Sequence, residues 1–383
     1  MKSIYLDNAA ATPVEPRVLE AMVQAYKKYG NPSSFNNIGR LAREAMESSR
    51  LSIARFLGAR TEEIVITSSG SEANNLALIG MLDGNKGTVL TTPIEHPSVL
   101  EPLKKLKNIK LQYIPVDKHG LVNLKSFSNL LSTECRLVSV MYANNEIGTI
   151  EPVRKIAKLI YDYNKAHHTS IIFHIDACQA AGFLDMNVQH LGADLVAFNG
   201  SKIYGPRGIG VLYVRHGTNL HSLISGGSQE RGLRAGTENI PAIIGLAKAV
   251  SIIKPAEAKK ISLLRDYAIS QLEKNIPEIL INGPRGIDRL ANNISVCIPK
   301  INSENLLLEL DKYGISAGSG SACTSHAVEP SHVLKAIGVP LGYINGALRF
   351  SLGRATTKND IGYLIRSLIK IVTDLNKRYA RLR

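Results

Sequence analysis

The sequence predicts an α/β protein with a large, mostly parallel sheet and a second, smaller α+β domain. Across the first two-thirds of the chain, short β-rich runs alternate with amphipathic segments, a pattern typical of parallel strands covered by helices on both faces. Around Lys254 and Pro255 the pattern changes to one long helical stretch followed by mixed strands and helices. A chain of 383 residues is long enough for a large core and a second lobe. We therefore expect a large domain over residues 15–255 and a small domain built from residues 1–14 and 256–383.

Seven runs rich in β-branched and apolar residues predict the strands of the large sheet. The amphipathic segments between them, such as 153–166, predict the covering helices. The predicted strands are 63–67, 88–92, 111–115, 137–141, 171–175, 195–198 and 210–214.

The remainder of the chain predicts the smaller domain. Its helices are expected at 257–275, 304–312, 330–337 and 358–379, and its strands at 293–298 and 348–352.

Composition and charge limit the class of protein. With 44% apolar and 20% charged residues the chain is typical of a globular protein, and its beginning lacks the apolar stretch of a signal peptide. No apolar run is long enough to span a bilayer, so we expect a soluble, cytoplasmic protein. The net charge of +14 favours acidic partners, either RNA or an acidic protein. The basic residues are spread out and no nucleic-acid motif is evident, so we favour a solvated basic surface and expect no direct DNA binding.

Four cysteines, Cys135, Cys178, Cys297 and Cys323, show no CxxC spacing and no nearby pairing with histidine. This argues against a disulfide framework and against a structural zinc site, and we expect no metal. We interpret Cys178 as a packing residue.

Polar residues follow the predicted strands, and ligands of open α/β sheets bind beyond the carboxyl ends of the strands. Asp176 follows the strand 171–175, and Lys202 follows the strand 195–198, ahead of a stiff Gly/Pro turn. Taken singly, Asp176 can equally be interpreted as a helix cap and Lys202 as an ordinary surface lysine. Taken together, they match the needs of a pyridoxal-phosphate enzyme, in which a lysine bonds the aldehyde and an aspartate pairs with the pyridinium nitrogen.

Three more strand ends carry groups that such a cofactor can use. Residues 67–72 open a helix with hydroxyls and a glycine, which suits a phosphate, although helix capping also explains them. His96 can stack on a flat ring, and an asparagine of 144–145 can donate to its phenolate oxygen. Five such strand ends together favour a pyridoxal-phosphate site.

Cys323 lies in a run of small and hydroxyl residues, 319–325. Free cysteine is usually a buried small hydrophobe, so a thiol in a small, polar, movable loop is placed to reach a reactant. An incidental thiol in an ordinary surface loop is the alternative.

Several stretches of the chain resemble the cysteine desulfurases, fold type I pyridoxal-phosphate enzymes of the class V aminotransferase group. The resemblance runs over nearly the whole chain, and the loop around Cys323 is similar to the branch that supplies iron–sulfur assembly and tRNA thiolation. Its most specific segments are 5–12, 30–34, 144–148, 202–210, 226–232, 234–237, 319–325 and 349–354.

The resemblance implies a role for each matching residue. Cys323 would accept sulfur, and Lys202 would hold the cofactor and move the substrate proton. Arg349 would bind the substrate carboxylate, a task suited to a guanidinium. The cofactor and substrate contacts that it implies are His96 on the ring, Asp176 on the ring nitrogen, Gln179 and Asn145 on the ring oxygen or substrate, Gly70, Ser71 and Ser201 on the phosphate, and Thr237 reaching the phosphate from the other subunit of a homodimer.

The resemblance further implies conversion of L-cysteine to L-alanine with a persulfide on Cys323, and transfer of that sulfur to an iron–sulfur scaffold or a tRNA-thiolation enzyme. Ser201 stands where family members commonly have His, Asn199 where they have Ser, and Asn36 where they often have His. The chain also ends at Arg383, earlier than in many bacterial members. A class V aminotransferase or selenocysteine lyase is the runner-up, and an RNA-binding or scaffold protein on an inactive fold is the alternative of another class.

Overall fold

A seven-stranded sheet dominates the computed structural model, which describes residues 3–27, 29–84, 86–319 and 330–381. The strands are β1 (Ile4–Tyr5), β2 (Ile64–Thr67), β3 (Gly87–Thr91), β4 (Ile109–Tyr113), β5 (Cys135–Ser139), β6 (Ile172–Asp176), β7 (Leu195–Asn199), β8 (Gly210–Val214), β9 (Leu280–Ile281), β10 (Asn293–Cys297), β11 (Ile315–Ser316) and β12 (Ala347–Ser351). The strand order of the large sheet is β2-β8-β7-β6-β5-β3-β4; β8 is antiparallel to both of its neighbours, and every other neighbouring pair is parallel. The predicted α/β class with a mostly parallel seven-stranded sheet is therefore confirmed.

Helices cover both faces of this sheet because successive strand residues point to opposite sides. The helices are α1 (Pro16–Ala25), α2 (Asn37–Leu57), α3 (Gly70–Leu82), α4 (Pro97–Lys105), α5 (Leu124–Leu130), α6 (Val153–His167), α7 (Val188–Leu191), α8 (Ile240–Ser251), α9 (Pro255–Asn275), α10 (Ser303–Lys312), α11 (His332–Ala336), α12 (Leu341–Ile344) and α13 (Lys358–Arg381). In β2, Ile64 and Ile66 join the core cluster that contains Ile53 of α2, whereas Val65 joins the cluster that contains Leu76 of α3.

A second core lies around the antiparallel sheet β12-β10-β9. It joins Phe350 of β12 to Leu272 of α9 and Leu368 of α13, and it also contains Leu6 from the beginning of the chain. Strand β1 pairs in parallel with β11, so residues 4–6 belong to this second core although they come first in the sequence. The domain limits 15–255 and 256–383 stay a prediction.

None of the helices in the described ranges is long and apolar enough to cross a membrane. In the same ranges, Cys135, Cys178 and Cys297 are free thiols.

Candidate active site

Nine of the residues predicted for the site line one cavity of about 480 Å³ at the carboxyl ends of the parallel strands. Strand β6 ends in Asp176, β7 leads into Lys202, and the beginning of α3 supplies Gly70. The second core contributes Arg349 from β12. The nine are Gly70, Ser71, His96, Asn145, Asp176, Gln179, Ser201, Lys202 and Arg349.

Asp176 is a buried carboxylate with two donors. Its Oδ2 accepts from Asn74 Nδ2 at 2.8 Å, and its Oδ1 accepts from the backbone N–H of Cys178 at 2.9 Å. Only 5% of Asp176 is exposed, and the cavity is the side from which a further cation can approach. A buried carboxylate in this position is suited to a protonated ring nitrogen.

His96 is connected to Asp176 through two neutral side chains. Its Nδ1 accepts from the backbone N–H of Ser98 at 3.1 Å and lies 2.8 Å from Ser98 Oγ, which accepts from Asn74 Nδ2 at 2.9 Å. Burial lowers the pKa of His96, so the imidazole is neutral near pH 7. With Nδ1 acting as an acceptor, the neutral ring carries its proton on Nε2.

Two neighbouring side chains pack closely against the beginning of α3 at Gly70. A Cβ on Gly70 would lie 2.6 Å from Cys178 Sγ and 2.8 Å from Asn199 Nδ2, so the side-chain-free residue lets these groups approach the helix start. Backbone N–H groups and the helix dipole make such a start favourable for phosphate. Ser201, where the resemblance has a histidine, donates from Oγ to Asn199 Oδ1 at 3.0 Å.

The residues at the beginning of the chain form one wall of the cavity. The carbonyl of Ala10 accepts a hydrogen bond from Lys202 Nζ, and the carbonyl of Ala9 accepts one from Gln179 Nε2 at 3.0 Å. Thr12 fixes this segment by donating its N–H to the carbonyl of Ser201 at 2.8 Å. Lys202 is thereby held with its amine at the cavity.

Arg349 is buried, with 5% of its surface exposed, and its guanidinium makes two hydrogen bonds. Its Nη2 donates to Asp7 Oδ1 at 2.9 Å and its Nη1 donates to the carbonyl of Asn145 at 3.2 Å, whereas Nε has no acceptor among the described residues. An unpaired donor on a buried cation is costly unless a ligand satisfies it. The geometry therefore suits a small carboxylate.

Cys178 also lies in the wall of the cavity. Burial, together with the negative charge of Asp176, raises the pKa of its thiol well above the usual range. The protonated thiol is a poor nucleophile, so Cys178 is not suited to accept sulfur.

One predicted site residue, Thr237, lies elsewhere. Thr237 does not line this cavity but a smaller one beside Ser68 and Arg234. Cys323 lies outside the described residues. Asn36, one of the departures from the resemblance, caps α2 through Oδ1, which accepts from the N–H of Gly39 at 2.8 Å.

Sequence reasoning missed Asn74, Ser98 and Asp7. Asn74 lies inside a predicted helix and is almost fully buried. A buried asparagine needs hydrogen-bond partners, so its place in an apolar helix was the signal that could have found it. Ser98 carried no signal of its own. Asp7 belonged to the matching segment 5–12 but was given no role, and its partner Arg349 is 342 positions away in the sequence.

The donor set fits pyridoxal phosphate. Lys202 is available for an aldehyde, Asp176 for a ring nitrogen, and the neutral His96 for a ring face. The beginning of α3 provides backbone donors for the phosphate.

Comparisons with known proteins show which family the chain resembles. The model of the family described as Aminotransferase class-V matches residues 4–364. A protein of Dictyoglomus turgidum named "Cysteine desulfurase IscS" is 43% identical and covers 98% of this chain and 95% of its own length. A protein of Methanosarcina thermophila with the same name is 41% identical, and the match covers 98% of this chain and 93% of that protein. Among solved structures, a "NifS-like protein" superposes with a TM-score of 0.90 at 36% identity, covering 97% of this chain and all of its own. The structure "SspA in complex with cysteine" superposes with a TM-score of 0.80 at 32% identity, and the match covers 93% of this chain and all of that chain.

Proposed function

The chain belongs to the cysteine desulfurases, pyridoxal-phosphate-dependent enzymes of the class-V aminotransferase family, and we propose that it moves the sulfur of L-cysteine onto Cys323 and releases L-alanine. One observation carries the proposal: Lys202, Asp176 and Arg349 line a single cavity. A small amino acid needs a carboxylate-binding cation beside the amine-reactive group, and this cavity has both.

Substrate binding is assigned to Arg349. The carboxylate of L-cysteine accepts from the guanidinium of Arg349, while Asp7 and the carbonyl of Asn145 keep the guanidinium plane fixed through Nη2 and Nη1. The amino group of the substrate then lies toward Lys202. A neutral His96 adds no second positive charge to the site.

When bound, pyridoxal phosphate withdraws electrons from the α-carbon of the substrate and thereby weakens its Cβ–S bond. Asp176 would pair with the ring nitrogen of the cofactor, and Asn74 orients the carboxylate of Asp176. Lys202 Nζ takes the proton from the α-carbon as a general base.

Sulfur transfer is assigned to the thiolate of Cys323. Its Sγ attacks the sulfur of the substrate, so an S–S bond forms while the Cβ–S bond breaks and its electron pair stays with Cβ. That carbon takes up a proton, and L-alanine leaves. The persulfide on Cys323 is the product that a sulfur acceptor consumes.

We further propose that the acceptor belongs to iron–sulfur cluster assembly, since relatives at 41–43% identity carry the name cysteine desulfurase IscS. Delivery to a tRNA-thiolation enzyme is the second proposed use. We also propose a homodimer in which Thr237 of one subunit reaches the phosphate of the other, since Thr237 lies outside the cavity of its own chain.

The proposal is tested on the purified protein loaded with pyridoxal phosphate. L-cysteine should change the visible spectrum and yield alanine and sulfide in the presence of a thiol reductant. Lys202→Ala should abolish the covalent attachment seen by mass spectrometry after borohydride reduction, whereas Lys155→Ala, an exposed residue of α6, should retain it. Cys323→Ser should form no persulfide, whereas Cys135→Ala should form it normally. Sulfide release by Cys323→Ser at the parental rate would refute the transfer step. Accumulation of the pyridoxamine form without sulfide would indicate an aminotransferase.

A further inference from the structure

Tyr204 lies two positions after Lys202 and has a strained backbone conformation. Its φ is 61°, in the left-handed region that bulky residues rarely adopt. The N–H of Tyr204 donates to Thr12 Oγ1 at 2.7 Å, and its carbonyl accepts from the N–H of Glu15 at 3.0 Å. Backbone strain of this kind persists only where the surrounding structure fixes it, and it concentrates at functional sites. The conformation of Tyr204 therefore indicates that the turn after Lys202 is held in one geometry.

Arg354, just beyond the end of β12, fixes the side chain of Tyr204. Its guanidinium carbon lies 4.2 Å from the centre of the Tyr204 ring, and its backbone N–H donates to Tyr204 Oη at 2.8 Å. The same guanidinium pairs with Glu257 through Nε at 2.6 Å and with Glu15 through Nη1 at 3.5 Å. Only 17% of the Arg354 side chain is exposed, and exclusion of water strengthens the attraction between a cation and an aromatic ring. The contact between Arg354 and Tyr204 is therefore a built one.

This contact joins the two sides of the cavity. Tyr204 belongs to the turn that carries Lys202, whereas Arg354 follows Arg349 by five positions (354 − 349) on the segment that leaves β12. The amine and the carboxylate-binding guanidinium thus lie on two segments that Tyr204 and Arg354 bind together. Both belong to the part of the chain that the structure describes, and neither lines the cavity. An effect of Tyr204 or Arg354 on a ligand must therefore pass through the residues that do line it.

We propose that Tyr204 and Arg354 are positioning residues that set the placement of Lys202 relative to Arg349, and thereby select amino acids whose amine and carboxylate share one carbon. An α-amino acid fits one separation of the two binding groups, whereas a β-amino acid needs them farther apart by one carbon–carbon bond. This inference rests on the proposed function and deepens it, because it names the contact that restricts the substrate to α-amino acids.

The test compares the binding of L-alanine and β-alanine to the holoenzyme. The two are isomers, and neither has sulfur to transfer, so the change in the visible spectrum gives a Kd for each. Arg354→Ala and Tyr204→Leu should each lower the ratio of the Kd for β-alanine to the Kd for L-alanine by about fivefold or more. The double variant should lower the ratio no further than the stronger single variant, because the two side chains form one contact.

A second readout needs no cofactor. Competitive acetylation of the apoprotein, followed by mass spectrometry, reports the reactivity of Lys202 Nζ. That amine donates to the carbonyl of Ala10, in the segment that Thr12 binds to Tyr204. Loosening of this turn should raise the acetylation rate of Lys202 by about threefold or more in both single variants. The rate for Lys155, an exposed residue of α6, should not change.

Matched controls separate positioning from general loss of stability. Arg265→Ala removes a buried arginine that donates to two backbone carbonyls away from the cavity, and Lys358→Ala removes a cation from the ring of Tyr267. Both should keep the parental Kd ratio, although Arg265→Ala should lower the denaturation midpoint. Arg354→Lys keeps a cation for the ring of Tyr204 and should recover most of the ratio, even if Arg354→Ala folds poorly.

A parental Kd ratio in both Arg354→Ala and Tyr204→Leu would overturn the inference, as would an unchanged acetylation rate of Lys202 or an equal fall of the ratio in Arg265→Ala. A parental holoenzyme whose spectrum responds to neither L-cysteine nor L-alanine would instead refute the proposed function. The acetylation rates would then still decide whether Tyr204 and Arg354 position Lys202.

Discussion

Replacing Asn74 by Ala should weaken cofactor binding, although Asn74 is not expected to contact the cofactor. The amide donates to Asp176 Oδ2 at 2.8 Å and to Ser98 Oγ at 2.9 Å, and both bonds are lost in the variant. A hydrogen bond to a charged group contributes about 1.5–3 kcal/mol. If the whole of this free energy is lost from the binding of pyridoxal phosphate beside Asp176, the Kd for pyridoxal phosphate should rise about 10- to 150-fold.

Absorbance titration of the apoprotein with pyridoxal phosphate measures this Kd. The matched control is Asn282→Ala, because Asn282 is also a buried asparagine, donating to Ser295 Oγ and Cys297 Sγ away from the cavity. Both variants should lose stability, but only Asn74→Ala should lose affinity. Equal Kd values for Asn74→Ala and the parental protein would refute the argument that Asn74 orients Asp176.

Three further predictions concern single residues. Arg349→Lys should raise the KM for L-cysteine about 10- to 100-fold, since an ammonium lacks the fork geometry; an unchanged KM would contradict the assigned carboxylate site. Glu151→Gln should flatten the pH dependence of stability. Burial raises the pKa of Glu151 from its ordinary value near 4.5 to about 8. The protonated side chain therefore contributes its full stabilisation below pH 4.5, and this contribution is lost as the pH rises through about 8. Between pH 6 and 8 the parental free energy of unfolding should fall by roughly 2–3 kcal/mol more than that of the variant, and equal slopes in urea titrations would contradict this. Glu230→Gln should cost about 3–5 kcal/mol, because it breaks the buried bidentate pair with Arg50; an unshifted denaturation midpoint would refute it.

Much of the fold could be predicted because its signals are local. The strand Gly210–Val214 was predicted with its observed limits, and the other six strands of the large sheet were displaced by at most two residues at either end. Asp176 shows the resulting error: it was placed just after its strand but is the last residue of β6. Apolar runs mark where a strand lies, whereas its ends depend on tertiary hydrogen bonds.

The site could be predicted only in part, since its internal contacts are non-local. Lys202 and Asp176 were predicted because strand ends converge at one edge of a parallel sheet. The partners that orient them were not: the bond from Asn74 to Asp176 spans 102 positions, and the bond from Lys202 to the carbonyl of Ala10 spans 192. No pattern in a single sequence reports such pairings.

The wall formed by residues 9–12 has a consequence for how the protein is made. Strand β1 pairs with β11, which lies 311 positions later (315 − 4), and Asp7 pairs with Arg349 of β12. At a ribosomal rate of about 5–20 residues per second, roughly 15–60 s separate the emergence of these partners. The large sheet can form during that interval, but the substrate half of the cavity stays incomplete until β11 and β12 have been synthesised. A nascent chain can thus acquire its cofactor-binding framework well before it can bind an amino acid, which delays sulfur chemistry until Arg349 is in place.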